Sequence, residues 1–346
     1  MSSPSAGNFD CARLQEIKVP LAALITPNEV KDAEYIPDVA PVQMLKSMQT
    51  FKDQGLSNPE KDTVIKGIWM DDCDDTDPEE EDSESCEISG TQIGTVCKDY
   101  ELDLKFHKSF SVTDAKFRTL GNSVSQDQEV AINLAKKLKL MDEYWAKKII
   151  GVADSMSGSN LNTSPYTVGA DYTSIPAAAW NPDLFGYFAV TKNRNKMPGM
   201  KLLLGGLMEQ ALWKVGMETG TEQGGANFRK VNSLGNVYTD SFITEEVLSA
   251  KAAFLISPSA MALVTKARYA NNGAGVEEIA NGNKHIYYTI TSPNTGIVYD
   301  VIYQRSCGEN GNWVNTWDIR TFGAVLTNAV FCNASRTGVL QFRCAA

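Results

Sequence analysis

The sequence predicts an α+β chain, and three observations carry that reading. From Ser125 to about Ala153, apolar residues recur at helical spacing. Period-two apolar stretches flank a highly charged run near residue 80 and return through the C-terminal third. The first sixty or so residues are punctuated by prolines, at Pro20, Pro27, Pro37, Pro41 and Pro59. Length bounds the rest: 346 residues suffice for one large sheet-containing domain or two ordinary ones. At 43% hydrophobic and 21% charged residues, the composition is that of a folded protein.

The proline-rich stretch, residues 1–60, reads as an arm. Each proline blocks a ladder hydrogen bond and drives the preceding residue toward extended geometry. One helix is predicted within it, from about Val42 to Gln54, with Leu45, Met48 and Phe51 on one face. That stripe must be buried against something, a neighbouring subunit being one candidate.

Residues 61–108 read as a long β-hairpin. DTVIKGIWM precedes the charged run, and TQIGTVCKDYELDLKF follows it with Val96, Tyr100, Leu102, Leu104 and Phe106 mostly at period two. Between them lies DDCDDTDPEEEDSESCE, residues 71–87, with eleven carboxylates in seventeen positions and no basic residue. The chain's net charge is −10, so the remainder stands near +1 once those eleven are removed. This is a nearly neutral chain with one acidic insertion, and nothing in it is basic enough for a dedicated nucleic-acid binder. Self-repulsion should keep the run solvated at the hairpin tip. An isolated hairpin is marginal in water, so this one should lean on its own domain or on another chain.

The strongest helical signal follows. Ser125 with Gln128 forms a capping-box pattern. Val130, Leu134, Leu138, Met141, Trp145, Ile149 and Val152 then follow at steps of four or three. An amphipathic helix of roughly 28 residues, ~42 Å long, is predicted. Residues 155 to 200 read as loops and short elements. Met200 to Gly220 reads as a helix weakened by Gly205 and Gly206. KAAFLIS, residues 251–257, reads as a buried strand, and Pro258 is placed to open a helix from Ser259 to about Tyr269. HIYYTITSPNTGIVYDVIYQR reads as a hairpin turning at Pro293–Gly296, and segments around Val325–Cys332 and Gly338–Arg343 complete the β content.

Catalytic signatures are missing from the sequence. There is no phosphate loop, no GxGxxG after a strand, no GxSxG and no HExxH. The two histidines, His107 and His285, sit in strand-like stretches and read as structural. The acidic run is the best candidate site. An EF-hand register starting at Asp72 puts Asp77 at the glycine position and Ser83 at the glutamate position, so that pattern fails. Loose divalent-ion binding by Asp72, Asp74, Asp75, Asp77 and Glu80 stays open. So do a merely solvated loop and a contact with a basic surface on a neighbouring subunit, with Lys136–Lys139 or Lys192–Lys196 as counterparts. The seven cysteines are widely spaced without CxxC, which suits reduced thiols. Cys73 and Cys86 could pair only in an oxidising setting, and no disulfide is expected. No N-terminal signal peptide and no membrane-length apolar run is seen, so the expectation is a soluble chain made in the cytoplasm.

The order of parts resembles the major capsid protein of tailed bacteriophages, a self-assembling icosahedral virion shell. The resemblance implies an N-terminal arm (1–60), an extended hairpin loop (61–108), and a peripheral domain (109–199) with a spine helix at 125–153. It also implies an axial domain (200–321) with KAAFLISPSAMALVTKARY as its strand–helix unit, and C-terminal strands (322–346) returning to the peripheral domain. It implies hexamers and pentamers, separate scaffold, portal and decoration proteins, procapsid maturation as DNA enters, and non-specific contact with packaged double-stranded DNA. It implies no enzyme activity, no cofactor and no membrane. Trp69, Asp74, Glu80, Tyr100, Lys137 and Lys147 are the inter-subunit contact candidates. Two alternatives stay open: an encapsulin-like nanocompartment shell, and a divalent-ion-binding surface or adhesion protein.

Overall fold

The computed structural model describes residues 37–48, 64–70, 95–113, 126–158, 166–169, 171–181, 183–195, 197, 199–206, 230–231, 235–240, 242–268, 275–278, 284–307, 312–328 and 337–344. Within them the fold is α+β, with two large sheets joined by one long helix and a separate two-stranded hairpin. The acidic run 71–87, Ser125 and Phe51 lie outside the described residues.

Helix α1 (Ala40–Met48) carries Pro41 in its first turn, where a missing N–H costs nothing. Val42, Met44, Leu45 and Met48 are buried. They pack on the chain's own long helix and sheets, so this part of the arm needs no neighbour to cover its stripe. Strands β1 (Val64–Met70) and β2 (Thr95–Glu101) pair antiparallel, Trp69 opposite Val96. The period-two run expected from Val96 to Phe106 breaks at Leu102–Asp103, after which β3 (Leu104–Thr113) joins a different sheet.

Helix α2 spans Gln126–Met156, 31 residues, or ~46 Å by the usual rise. Val130, Leu134, Leu138, Met141, Trp145 and Ile149 are all buried, and Val152 is half-buried. Each such buried side chain contributes roughly 1.5–3 kcal/mol, which is how a face this regular fixes the helix. Beyond α2 come β4 (Thr167–Val168), β5 (Thr173–Ile175), a 3-10 turn (Ala177–Ala179) and α3 (Leu184–Arg194). Phe188 of α3 packs on Phe342 with ring centroids 4.6 Å apart.

One predicted helix is a strand, and the other, expected over 200–220, opens as a strand, with 207–220 outside the described residues. Lys201–Leu204 forms β6, not the start of a helix. Its three leucines are all fully buried, because the strand is covered on both sides and so reads as a continuous apolar run. After β7 (Lys230–Val231), β8 (Gly235–Thr239) and the short helix α4 (Ile243–Leu248), β9 (Ala252–Ile256) is the expected buried strand. Pro258 then opens a tight turn, Ala260 N–H to the Ser257 carbonyl at 3.1 Å, instead of a helix. Met261–Lys266 is strand β10, in the other sheet from β9. The remaining strands are β11 (Gly275–Glu278), β12 (Lys284–Thr291), β13 (Val298–Cys307), β14 (Trp313–Thr327) and β15 (Val339–Cys344). Of the expected segment around Val325–Cys332, residues 325–327 are the end of β14, a 15-residue strand that starts at Trp313, and 329–332 lie outside the described residues.

The six-stranded sheet runs β10-β14-β13-β12-β11, with β3 also on β14. Its pairings are all antiparallel. β14 is its axis: β3 lies along one edge from Val314 to Gly323, while β13 and β10 follow one another along the other. The seven-stranded sheet runs β4-β5-β15-β9-β6-β8-β7. Sheet membership crosses the sequence boundaries expected at 200 and 321: β10, β12 and β13 share a sheet with β3, and β15 sits between β5 and β9.

Helix α2 spans both sheets. It lies on β3 and β14 and touches β15. Gly323 of β14 lets it approach: a Cβ there would meet the Trp145 ring at 2.6 Å and run into the Val264 carbonyl oxygen. At the far end Asp154 accepts from Gln341 Nε2 at 2.9 Å and from Arg343 Nη2, tying the helix to β15. Residues from both sheets, α1, α2 and α3 form one continuous core.

Candidate assembly surfaces

The hairpin β1–β2 leans on its own chain. Ile65, Trp69 and Leu102 pack with Ala262, Val264, Ala324 and Leu326 of β10 and β14 as a second, smaller core. Small residues at 262 and 324 make room for the indole. Trp69 Nε1 donates to Tyr100 Oη, whose hydroxyl donates to the Thr327 carbonyl at 2.7 Å. Trp69, expected between subunits, is only 7% exposed and closed inside the chain. The physical reason is that the indole, one residue before the end of β1, lies over Ala262, Val264, Ala324 and Leu326 of the sheet beneath and is buried there. Asp74 and Glu80, like the metal candidates Asp72, Asp75 and Asp77, lie outside the described residues. No group of three His, Cys, Asp or Glu among the described residues could hold a metal ion.

The helix candidates fare differently. Lys137 is partly exposed on α2. Lys147 bonds Glu246 of α4 at 2.5 Å and lines a groove between α2 and β3. That groove, about 400 Å³, is lined by Phe106, His107, Lys108, Leu140, Met141, Glu143, Tyr144 and Lys147. Leu140 and Tyr144 are 43% and 40% exposed, on a helix whose other face is buried. Phe106 packs between the Tyr144 and Trp145 rings, at 4.5 and 4.8 Å. Of the two histidines, His107 bonds Asp318 at 2.8 Å, and Asp318 also takes Arg320 at 2.6 Å; both histidines stand in strands. Cys307 and Cys344 are in no disulfide.

Two buried polar junctions were not foreseen. Asp142, fully buried on α2, accepts from Ser292 Oγ at 2.5 Å, Tyr299 Oη at 2.7 Å and Thr295 Oγ1 at 2.8 Å. It thereby ties the helix to the β12–β13 turn, where Gly296 takes the φ of +65° that the turn requires. Burial pushes the Asp142 carboxyl up, against its three hydroxyl donors and the nearby Lys46 of α1. Burial likewise pulls Lys46 down, against the attraction of Asp142. A signal was present: Asp142 stands four residues after Leu138 and three before Trp145, on the apolar stripe itself. The second junction joins the lead-in to α1 with α2 and α4. Asp38 N–H donates to Glu143 Oε1 at 3.3 Å, and Phe242 N–H donates to Asp38 Oδ2 at 3.2 Å. Asp240 accepts from Thr244 N–H at 3.2 Å and from the Thr244 hydroxyl. Burial, then the neighbouring Asp38 and Glu245, push the Asp240 carboxyl up to about 7, with Thr244 opposing.

No protein-family model matches the sequence, and no curated protein matches it. Solved structures do. The chain described as "Cyanophage A-1(L) capsid asymmetric unit" aligns over 93% of this chain and 99% of its own, with 12% identity and a TM-score of 0.51. A chain of Mycobacterium phage Cain aligns over 95% and 98%, at 10% identity and a TM-score of 0.47. One of Mycobacterium phage Adephagia aligns over 95% and 98%, at 11% identity and a TM-score of 0.46. The cyanophage likeness shows a common fold from end to end, at an identity where sequence alone finds nothing.

Proposed function

We propose that this chain is the major capsid protein of a tailed bacteriophage, a structural and non-enzymatic subunit of the icosahedral shell around a double-stranded DNA genome. The observation that carries the reading is the fold shared with the cyanophage capsid chain over nearly the whole of both chains. The physics of the subunit supports it. A shell protein needs a stiff element that fixes its shape, and α2 spans both sheets. It needs faces of low net charge so that many copies pack, and outside 71–87 the chain is near +1.

In this reading α2 is the spine helix. The six-stranded sheet with α2 is the peripheral domain and the seven-stranded sheet is the axial domain. β1 and β2 with their connection form the extended loop, and the residues before α1 are the rest of the N-terminal arm. Lys137 and Lys147 face neighbours in the shell. Hexamers and pentamers form with separate scaffold, portal and decoration proteins, and the protein ends in the virion.

Negative-stain microscopy of the purified full chain tests this. Uniform closed particles are the expected result. A monomer that persists at every concentration overturns the reading. Particle contents separate a phage shell, which holds nucleic acid in infected cells, from a nanocompartment, which holds a cargo protein.

A further inference from the structure

We propose that Asp38 and Asp240 form a proton-operated latch. It holds the lead-in to α1, residues 37–39, against the junction of α2 and α4 while Asp240 is protonated, and lets the lead-in go when both carboxyls are ionised. Every group in it belongs to one chain, so the inference is tested independently of the shell reading. Its first support is geometric. Phe242 and Thr244 stand two residues apart at the opening of α4. The Phe242 N–H donates to Asp38 Oδ2 and the Thr244 N–H to Asp240 Oδ1, each at 3.2 Å. Two carboxyls from opposite halves of the chain are thereby set side by side. Both are buried, Asp240 at 1% exposure and Asp38 at 8%. Two further carboxyls close the junction. Glu143 of α2, also buried, accepts from the Asp38 N–H at 3.3 Å. Glu245 of α4 turns toward Gly205, where a Cβ would stand 2.5 Å from Oε1. The preceding residue, Leu204, takes the Asp240 N–H on its carbonyl at 3.0 Å.

The second support is the sign of the surrounding charge. The charged groups that bear on Asp240 are Asp38 and Glu245, and both are acidic. On α2, Lys147 bonds the exposed Glu246 of α4 at 2.5 Å. On α1, Lys46 is drawn to Asp142, at the opposite end of that helix from Asp38. Strands β6, β8 and β9 bring no charged side chain except Lys201, at the far end of β6. Thr244 offers Asp240 only neutral donors, its N–H and its hydroxyl. Ionising Asp240 therefore adds a like charge beside others in a space closed to water. Burial first, then these acidic neighbours, keep its proton on to about 7.

The part that yields is the lead-in. Asp240 is fixed just past the end of β8 by its bonds to Leu204 and Thr244. Helix α1 is fixed by Val42, Met44, Leu45 and Met48, all buried. Asp38 precedes that helix, on bonds at the long end of the hydrogen-bond range. Once released, Asp38 takes its charge to water and Asp240 returns toward an ordinary carboxyl. The docked lead-in thus keeps a proton that the released one gives up. Docking weakens as pH rises from about 4 to 7, by at most about tenfold per pH unit, and levels off above 7. Residues 37–39 join 1–36 to the body, so the latch sets whether that junction is held.

Amide hydrogen exchange on the full-length chain, resolved to single residues and corrected for the intrinsic rate at each pH, reads the latch directly. The reporters are the Asp38 and Phe242 amides, whose bonds it makes. The controls are the amides of Met44 to Met48 within α1 and that of Ser257, which is bonded to the Gly338 carbonyl at 2.9 Å. Between about pH 5.5 and 8, protection of the two reporters should fall at least about fivefold while the controls hold. Asp240→Asn keeps an acceptor for Thr244 and carries no titrating proton. It should fix the reporters at the protection the wild type shows at low pH. Asp38→Asn keeps the acceptor for Phe242 and removes the opposing charge, so it should shrink the fall, and it decides the matter alone if Asp240→Asn does not fold. Reporters flat with pH in the wild type overturn the proposal. So does a fall unchanged by Asp240→Asn, or one that Ser257 shares, which would mark global loosening. A fall as steep in Asp38→Asn as in the wild type places the switch within α4 and Glu245, and overturns the latch too.

Discussion

The two unforeseen junctions each hinge on one carboxylate. Asp142 accepts from three hydroxyls on the β12–β13 turn and the start of β13, more than a hundred residues away. Asp142→Ala leaves the hydroxyls of Ser292, Thr295 and Tyr299 without it inside the core. A loss of about 3 kcal/mol is expected, measured as a lower urea midpoint at unchanged slope. Asp240 makes a pH prediction. Its carboxyl stands at about 7 in the folded chain against 3.8 as a free group. Between those values the folded state keeps a proton that the unfolded state has released, so this group's contribution to stability falls as pH rises from about 4 to 7. It levels off above 7. Asp240→Asn removes that slope while keeping an acceptor for Thr244 N–H. Its stability relative to the wild type should be near zero change at pH 4 and grow by up to ~4 kcal/mol at pH 8. A difference flat across that range counts against the assignment.

At the scale of elements, a hairpin and a helix illustrate opposite dependences. Helix α2 is specified by its own sequence, because seven apolar residues at steps of three and four define one face wherever the partner lies. The hairpin β1–β2 is two strands held to the body by a small cluster around Trp69 and Leu102. Trp69→Ala removes the largest side chain of that cluster. Limited proteolysis should then cut between residues 64 and 101 at least tenfold faster, with the thermal midpoint of the main core little changed. Equal loss of both would mean that the hairpin and body fold as one unit. The strands β6 and β10 show the reverse of α2. Four leucine-rich residues, or six starting after a proline, bury all round in a sheet interior and leave no periodicity to separate strand from helix.

For the whole molecule, the governing quantity is how charge is divided. Eleven acids in one segment and a near-neutral remainder mean that salt acts mainly through that segment. Replacing the eleven carboxylates of 71–87 with Gln and Asn should leave the fold intact and flatten the salt dependence of particle stability, followed by light scattering between about 0.05 and 0.5 M salt. A dependence as steep as that of the wild type would place the salt-sensitive contacts elsewhere. Under the shell proposal the partner of such a surface is another copy, so a residue exposed in the single chain, such as Leu140 or Tyr144, need not face solvent in a particle.

By itself the sequence determined the α+β class, the long helix and its buried face, the hairpin on either side of the acidic run, the turn at Pro293–Gly296 and the strand at 251–257. These are local or periodic properties, written into the spacing of side chains and into turn chemistry. Only the tertiary structure decided the rest. Whether Lys201–Leu204 and Met261–Lys266 are helix or strand depends on being covered on both faces. Which strands share a sheet depends on β14 being long enough to carry β3 on one edge and β10 with β13 on the other. That Asp142 sits against three hydroxyls, that Trp69 closes inward, and that Phe106, Lys108, Leu140 and Tyr144 make one groove all depend on residues far apart in the chain. Their spacing along it carries no trace of the contact.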